Sequence, residues 1–338
     1  MTAKIRIGLF YNLKSEYPLR EHHPFDINAE WDSLDTFVEI QKAMENLGYS
    51  VTHIGDPSKL LNEKIRKNID IAFNMCEMTG YRFREAIAPS IFELCSIPYT
   101  FSSPDTMVVC LDKNLSNFVV RQAGGLVPDW KLTDQINLPL REFHSYPYIV
   151  KPSAEGSGMG INRASIVNTE QELLEQVKLI EINYRQPAIV QKFLSGREFT
   201  IGVLEMKDGT LLSLEPLEIR GLTIDNGLTY NYVAKSHFDR YCGLVPLSSN
   251  ELSLKNKIQN LANLAFRSLR CRDAARIDIR LDSNENPNFL EINTLPHFHP
   301  LEGDFCRSAL HAGISYVQLI DVIIQNTMQR FGFDLQSV

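Results

Sequence analysis

The sequence predicts an α/β domain with a parallel sheet at the N-terminus, followed by a two-lobed α+β unit. In about the first hundred residues, apolar runs typical of strands alternate with helical patterns, and this alternation is characteristic of a parallel sheet. From Tyr146 onward, strand-like runs separated by hairpin-like turns dominate instead. A chain of 338 residues is also too long for one simple core, so two or three compact subdomains are expected.

The N-terminal elements are assigned from apolar periodicity and capping signals. A helix over residues 33–47 is expected to begin with Ser33 as its cap and to end before Gly48. A longer helix is expected from about residue 104 to residue 123, ending at Gly124-Gly125. The other elements expected here are strands at KIRIGLFYN, YSVTHIGD, IDIAFNM and IPYTFSS, and helices near residues 59–66 and 85–95.

Strands make up most of the remaining chain. They are expected at YPYIVKP, GMGINRASIV, PAIVQKFL, EFTIGVLEM and TLLSLEPLEI, with helices over residues 251–269 and 315–331. The expected divisions are an N-terminal α/β domain (residues 1–104), a central subdomain (105–190) and a C-terminal subdomain (191–338).

The composition excludes several classes of protein. With a net charge of −7 and no Lys/Arg cluster, the chain lacks the basic footprint of a nucleic-acid-binding protein. No apolar run is long enough to span a membrane, and the start MTAKIRIGLF lacks the apolar region and cleavage site of a signal peptide. The cysteines are scattered without C-x-x-C spacing, which favours reduced thiols in the cytoplasm over a metal or disulfide framework: Cys76, Cys95, Cys110, Cys242, Cys271 and Cys306.

The segment ARIDIRLDSNENPNFLEINTLP carries three candidate metal ligands. Two alternating apolar runs flank the turn-rich residues 282–287, a pattern typical of two strands joined by a hairpin. Asp278, Glu291 and Asn293 can then point to one side of the sheet, where three oxygen donors suit Mg²⁺ bound to substrate phosphates. Arg276 lies on the same strand face as Asp278 and can pair with a developing anion. The alternative is a sheet with ordinary solvated acids and one salt bridge.

A strand ending in Lys151 leads into the glycine-rich loop SAEGSGMG. Three glycines within five residues let backbone N–H groups approach phosphates closely, while Lys151 supplies positive charge. The loop lacks the G-x-x-x-x-G-K-[ST] pattern of a P-loop, and the alternative is a plain hairpin turn with an exposed lysine.

Downstream, QKFLSGREF combines groups that suit a nucleoside. Gln191 and Leu194 can offer side-chain and backbone groups to an adenine edge, and Glu198 can accept hydrogen bonds from ribose hydroxyls. Alternatively, Glu198 simply pairs with Arg197 or Lys192.

Six motifs occur in the order found in ATP-grasp enzymes: LDKNLSNF, KPSAEGSGMGI, QKFLSGREF, YNYVAKS, ARIDIR and FLEINTLP. The chain most resembles the D-alanine–D-alanine ligase branch, from about Lys4 to the last helix. This resemblance implies an N-terminal pre-ATP-grasp domain followed by a two-lobed ATP-grasp unit, in which residues 105–190 form the lid subdomain and 191–338 the catalytic subdomain. The implied activity is ATP-dependent ligation of a carboxylate to an amine.

The resemblance also implies roles for individual residues. The positions that match the family's functional residues are Lys113 and Lys151 at the ATP phosphates, Ser157 near the first substrate, Gln191 and Leu194 at the adenine, Glu198 at the ribose, Lys235 on a mobile loop over the γ-phosphate, Arg276 at the acyl phosphate and tetrahedral intermediate, and Asp278, Glu291 and Asn293 at two Mg²⁺ ions. Mn²⁺ is an alternative metal, and a homodimer is expected from the family alone. Small-molecule amino acids are the expected substrates.

The chain departs from the ligase pattern around both substrates. No glycine-rich turn with a nearby glutamate is recognisable near the N-terminus, so either Glu30 or Asp32 can hold the first substrate's ammonium, and capping of the next helix explains both equally well. Ser236 stands where the family often has a tyrosine, and His297 where it has a glycine. Glu302 occupies the ungapped position of a serine that receives the second substrate's carboxylate.

An ionised Glu302 cannot favourably face a substrate carboxylate, so the expected acceptor is an amine-bearing or otherwise altered nucleophile rather than plain D-alanine. His297 and His299 can add hydrogen bonds or act as a base, or they can be structural. Three alternatives are a genuine cell-wall D-alanine–D-alanine ligase, an imine-forming ligase of the mycosporine type, and a nucleotide-binding regulatory protein without turnover. The intact set of lysines, Arg276 and metal ligands argues against mere binding.

Overall fold

A computed structural model describes residues 4–21, 23–80, 82–134, 138–221 and 242–333. Its strands form three sheets, which confirm the expected parallel α/β domain and two-lobed α+β unit. The strands are β1 Arg6–Tyr11, β2 Ser50–Gly55, β3 Ile71–Met75, β4 Trp130–Thr133, β5 Tyr148–Pro152, β6 Ile166–Val167, β7 Ala188–Lys192, β8 Glu198–Glu205, β9 Leu211–Ser213, β10 Leu217–Gly221, β11 Cys242–Pro246, β12 Ala274–Leu281 and β13 Pro287–Asn293. The α-helices are α1 Leu34–Asn46, α2 Glu63–Arg66, α3 Ile87–Leu94, α4 Pro104–Leu111, α5 Lys113–Gln122, α6 Glu170–Tyr184, α7 Leu252–Ser268, α8 Asp304–His311 and α9 Tyr316–Arg330.

The N-terminal sheet is parallel, with strand order β2-β1-β3. The run IPYTFSS adds only a single bridge, from Tyr99 to Ala72, rather than the expected fourth strand. Ser33 does precede α1, but its side chain makes no capping hydrogen bond. The core of this sheet continues into the C-terminal helices, because residues of β1 and α1 share one apolar cluster with α8 and α9: Ile7, Leu9, Phe37, Ile40, Phe305, Ile320, Ile323 and Ile324.

The central lobe is the antiparallel sheet β4-β7-β5-β6 together with α6. The sequence analysis expected a strand over GMGINRASIV, but only Ile166–Val167 pairs, and it did not expect α6. The Thr169 side chain caps α6 by accepting a hydrogen bond from the Glu172 N–H at 3.2 Å. This lobe has an apolar core of its own, formed mainly by Val150, Val167, Leu173, Val177, Ile180 and Val190.

The C-terminal lobe is a six-stranded sheet with the order β11-β10-β8-β12-β13, in which β9 pairs with β8. Helix α7 covers one face through Ile258, Ala262 and Phe266, which share a core with Phe199 and Ile277 of the sheet. The expected helix over residues 104–123 is two helices. Asp112 separates them because its extended backbone ends α4, while its Oδ1 accepts the Asn114 and Leu115 N–H groups and so begins α5.

No helix within the described ranges is long and apolar enough to cross a membrane. The cysteines that the structure describes in full carry free thiols, as the sequence analysis expected: Cys76, Cys95, Cys110, Cys271 and Cys306.

Asp273 joins the N-terminal domain, the C-terminal lobe and the last helix. Its side chain is completely buried just before β12, where Oδ2 accepts the Phe101 N–H at 2.6 Å. Arg330 of α9 donates to both carboxylate oxygens, at 2.8 and 2.9 Å. One buried carboxylate therefore links its own lobe to groups from two other parts of the chain.

We expect Asp273→Ala to lower the free energy of unfolding by about 3–5 kcal/mol, because it leaves a buried N–H and a guanidinium without their acceptor. Asp129→Ala is the matched control, since Asp129 also pairs with an arginine, Arg121, but its side chain is 91% exposed. That change should cost less than about 1 kcal/mol. Urea denaturation measures both, and equal effects of the two variants would contradict the structural role of Asp273.

Candidate active site

Strands β12 and β13 form the predicted hairpin, and their register collects four functional side chains. Arg276 is paired with Asn293, and Asp278 with Glu291, in an antiparallel ladder. Because residues two apart on a strand share a face, all four side chains lie on one side of the sheet. Arg276 and Asp278 are buried, with exposed fractions of 7% and 6%.

Hydrogen bonds fix the Asp278 carboxylate. Its Oδ1 accepts from Thr200 Oγ1 at 2.7 Å and from Arg276 Nε at 3.1 Å, and its Oδ2 accepts from Arg276 Nη2 at 3.0 Å. Burial lowers the pKa of Arg276, but the charges of Asp278, Asp304 and Glu291 outweigh burial and raise that pKa above its ordinary value. Arg276 therefore stays cationic inside a dry site.

Two buried lysines face this carboxylate group from other elements. Lys113, the first residue of α5, places its Nζ 3.2 Å from Glu291 Oε2 and also donates to the Glu155 carbonyl. Lys151 lies on β5 in the central lobe, and burial lowers its pKa to about 8, against the opposing charge of Glu291. Lys113 contacts Glu291 and Lys151 is influenced by the charge of the same acid, so two cations from outside the hairpin face its acids.

The donor set of the hairpin suits a divalent cation. Asp278, Glu291 and Asn293 offer carboxylate and amide oxygens, which are the ligands that Mg²⁺ prefers. Within the described residues, the buried Nδ2 of Asn293 has no hydrogen-bond partner, and the oxygen of the same amide is the atom that suits a cation.

The three residues expected at a nucleoside lie on β7, in the loop that follows it and at the start of β8. Gln191 is 1% exposed on β7, and its Nε2 has no partner among the residues described. Leu194 follows in the loop to β8, where its backbone N–H makes no hydrogen bond to another described residue. Glu198 begins β8 and pairs with Arg280 at 3.0 Å, rather than with Arg197 or Lys192.

Glu30 lies at the glycine-rich loop and is held there by Arg84, a residue that the sequence analysis did not single out. Arg84 donates to Glu30 at 2.5 Å and to the Ala154 carbonyl at 2.9 Å, and it lies 3.1 Å from Glu155. Glu30 Oε1 also accepts the Gly156 N–H at 2.8 Å. The side chains of Arg84 and Glu30 are only 6% and 10% exposed.

Two further acids accompany Glu30, of which Glu77 is half-buried and Glu85 is buried. Carboxylate oxygens of Glu30, Glu77 and Glu85 lie within 4.8 Å of one another. Burial, together with the neighbouring acids, raises the pKa of Glu77 well above its usual range and that of Glu85 to about 7. Glu85 also accepts from Thr294 Oγ1 at 3.4 Å, so this acidic group adjoins the residue that follows Asn293.

Asp32 has a different partner from Glu30, because its Oδ1 lies 3.0 Å from His297 Nε2. Burial lowers the pKa of His297, but Asp32, Asp304 and Glu302 together raise it above its ordinary value. Glu302 itself is exposed, and its backbone N–H donates to His299 Nδ1 at 3.2 Å. The buried acid near Arg276 is instead Asp304, at the start of α8.

Ser157 lies half-buried in the glycine-rich loop with a φ of +50°, beside Gly158 with a φ of +70°. Lys235 and Ser236 lie outside the described residues.

Three residues of the site were not predicted from the sequence: Arg84, Glu85 and Asp304. Their signals in the sequence are weak because their partners are remote in the chain. Glu155 stood within the quoted loop motif and was also not singled out.

Comparison with known proteins identifies the family. A family model described as D-ala D-ala ligase C-terminus matches residues 122–325. A D-alanine–D-alanine ligase of Petrotoga mobilis is 31% identical over 88% of this chain and 94% of that protein. A D-alanine–D-alanine ligase of Bacillus cereus is 28% identical over 80% of this chain and 86% of that protein.

Solved structures show the same fold. A D-alanine–D-alanine ligase from Bacillus anthracis, complexed with ATP, superposes with a TM-score of 0.74 at 22% identity and covers 97% of this chain and 98% of its own. The D-Ala:D-Ser ligase VanG from Enterococcus faecalis gives a TM-score of 0.73 at 19% identity and covers 96% of this chain and 100% of its own. With more than half of its length matched by the family model, the chain belongs to the D-alanine–D-alanine ligase family of ATP-grasp enzymes, which are ATP-dependent ligases that form a C–N bond.

Proposed function

We propose that this ligase joins an amino acid to an amine through an acyl phosphate. The observation that carries the proposal is the pairing of Arg276 with Asn293 and of Asp278 with Glu291, opposite Lys113. These residues supply oxygen ligands for a cation and fixed positive charge for phosphates, and nucleotide binding alone requires no buried arginine beside them.

The reaction proceeds in two balanced steps. A carboxylate oxygen of the first substrate attacks the γ-phosphorus of ATP, the bond to the β–γ bridging oxygen breaks, and ADP leaves. The amine of the second substrate then attacks the acyl carbon, the C–O bond to phosphate breaks, and the amine loses a proton to give the amide. Lys113 and Lys151 offset charge on the transferring phosphoryl group, and Arg276 stabilises the oxyanion of the second step.

Mg²⁺ would be held by Asp278, Glu291 and Asn293, and when bound it supplies charge neutralisation to the phosphates. The first substrate's ammonium is assigned to Glu30 rather than Asp32. Glu30 lies in a group of three acids with Glu77 and Glu85, whereas Asp32 pairs with His297 outside that group. Arg84 already binds Glu30, and a second cation would further offset the repulsion among the three acids.

We expect Asp278→Asn to reduce amino-acid-dependent ADP release by at least about a hundredfold, because the amide removes the negative charge that a divalent cation needs. Asn keeps one oxygen for Thr200 and Arg276 Nε but places an amide NH2 opposite Arg276 Nη2, so the thermal unfolding midpoint should fall, and activity is compared at a temperature at which circular dichroism shows that the variant is folded. Asp208→Asn, in an exposed turn, is the control and should retain full activity. An active Asp278→Asn enzyme would refute the metal assignment.

The proposal also concerns the acceptor, which is the second substrate. We propose that this acceptor carries a group other than a free α-carboxylate. Glu302 no longer supports this, since its side chain is exposed. The support is Asp304, which is buried at 8% exposure and acts electrostatically on both Arg276 and His297. A second acid, Asp32, adjoins His297, so the cations Arg276 and His297 are already offset by acids and leave no surplus positive charge to attract an additional carboxylate.

This acceptor assignment is tested by comparing D-alanine with D-alaninamide, which differ in the charge of one group. We expect the amide to give about tenfold or greater kcat/KM as acceptor, because it removes repulsion by Asp304. In Asp304→Asn, the ratio of kcat/KM for D-alaninamide to kcat/KM for D-alanine should be smaller than in the wild type. If D-alanine instead gives equal or higher kcat/KM, and this ratio is unchanged in Asp304→Asn, the protein is a genuine D-alanine–D-alanine ligase. Coupled detection of ADP measures both substrates.

His297 acts as a cation that pairs with Asp32 and not as a free base. Its pKa is raised, so the protonated imidazole persists to a higher pH than in an unperturbed histidine. This pair connects Asp32, just before α1, to His297 in the loop after β13. It spans the proposed acceptor end of the cleft.

The pH dependence of stability follows from the sign of this shift. A pKa that folding raises gives stability below the unfolded value of 6.5, and this stability is lost as the pH rises through the folded pKa. We expect His297→Gln to be less stable than the wild type at pH 5.5 by up to about 1 kcal/mol, with a smaller difference at pH 9. His311→Gln, at an exposed site, is the control in urea denaturation at both pH values. A larger deficit at pH 9 would contradict the ion pair.

A further inference from the structure

The segment of residues 26–32, here called the strap, crosses the cleft and holds its two sides with three carboxylates. It consists of successive turns between β1 and α1. Trp31 anchors it from within, because this side chain is 9% exposed and its Nε1 donates to the Met78 carbonyl at 2.9 Å. The Asp32 carbonyl accepts the Lys14 N–H at 2.9 Å, which ties the end of the strap to the segment after β1.

Each carboxylate of the strap reaches a different part of the ligase unit. Asp26 Oδ2 accepts the Gly160 N–H at 2.8 Å, and its Oδ1 accepts from the Tyr184 hydroxyl at 2.7 Å. Glu30 accepts the Gly156 N–H at 2.8 Å. Asp32 pairs with His297 beyond β13. The strap therefore contacts the central lobe at two points and the C-terminal lobe at one.

Asp26 and Glu30 bracket the glycine-rich loop. The two N–H groups that they accept lie on either side of Ser157 and Gly158, whose backbones have positive φ values of +50° and +70°. Inside this bracket the loop adds the bond from Met159 N–H to the Gly156 carbonyl at 2.9 Å. The N–H groups of Ser157 and Gly158 make no hydrogen bond to another described residue. These two N–H groups can therefore donate hydrogen bonds to a ligand.

The fit between the strap and the loop is close. A Cβ atom at Gly156 would lie 2.4 Å from Glu30 Oε1, and a Cβ atom at Gly160 would lie 2.6 Å from Pro152. Gly160 also has a φ of +72°, which disfavours any side chain there. Asp26 is only 2% exposed, so its carboxylate acts on the loop from a dry position where N–H···O⁻ bonds are strong.

We propose that the strap holds the glycine-rich loop in its nucleotide-binding shape and that Asp26 is a positioning residue for ATP. Asp26 touches no substrate and acts through Gly160 and Tyr184. No feature of the sequence indicated this role. The proposal rests on the proposed function, in which this loop receives the ATP phosphates. Its consequence is that the N-terminal domain controls ATP affinity from a position outside the ATP-grasp lobes.

Three variants separate positioning from simple structural damage. Asp26→Ala removes both acceptors, and we expect the Kd and the KM for ATP to rise about tenfold, with kcat changed less than threefold. Tyr184→Phe removes one donor and keeps the bond to Gly160, so a rise of about twofold to fivefold is expected. Asp26→Asn can accept from Gly160 and donate to the Tyr184 oxygen, and it should restore ATP affinity to within threefold of the wild type.

Fluorescence titration with a methylanthraniloyl-labelled ATP measures Kd without amino acids, and steady-state assays give KM and kcat. Hydrogen exchange of the peptide that contains Gly160 gives a local readout, which should be faster in Asp26→Ala and unchanged in the control Asp208→Ala. The control also keeps an ATP affinity equal to that of the wild type, because Asp208 bonds only within its own exposed turn.

A folded Asp26→Ala protein with ATP affinity within twofold of the wild type would overturn the proposal. If Asp26→Ala does not fold, Tyr184→Phe decides, and unchanged affinity and exchange in that variant would overturn it equally. Failure of the proposed function is distinguishable, since it would appear as a wild-type protein that does not bind ATP or shows no amino-acid-dependent ADP release.

Discussion

The antiparallel pairing of β12 with β13 is the constraint on which the rest of the site depends. It places two carboxylates and an amide on one buried face, and such a face is unstable unless cations stand close to it. Arg276 provides one cation from the same strand. Lys113 provides another, because Asp112 interrupts a longer helix and sets Lys113 in the first turn of α5, where its N–H also bonds to the Ser153 carbonyl at 2.8 Å. The interruption of the helix at Asp112 thus places a lysine beside the acids of the hairpin.

The sequence sufficed where the determinants were local. Alternating side chains and a turn-rich centre predicted the hairpin, and the two-residue period then placed Asp278, Glu291 and Asn293 on one face without knowledge of the rest of the fold. Helix α6 had local signals too, with Thr169 as its cap and buried Leu173, Val177 and Ile180 at helical spacing. It was missed because it lies among strands and because Leu174, Leu179 and Ile182 on its exposed side blur the amphipathic pattern.

Long-range pairs could not be predicted. Arg84 and Glu30 are 54 residues apart, and Asp26 and Gly160 are 134 apart, so no periodicity links them. Glu302 illustrates a different limit. A gapless comparison predicted it in the acceptor pocket, and the structure shows Glu302 exposed and Asp304, at the start of α8, buried. The placement of candidate residues in loops therefore depends on exact backbone paths, whereas that of the candidate metal ligands depends only on strand alternation.

The two lobes differ in how they are attached. The C-terminal lobe shares its core with the N-terminal domain and is joined to it through buried Asp273, whereas the central lobe has a separate apolar core. Any opening of the cleft is therefore a movement of the central lobe, and it must first release the hydrogen bonds of Asp26 and Glu30 to Gly160, Tyr184 and Gly156. These bonds hold the loop against the strap, so their loss adds to the free energy that a movement of the central lobe requires.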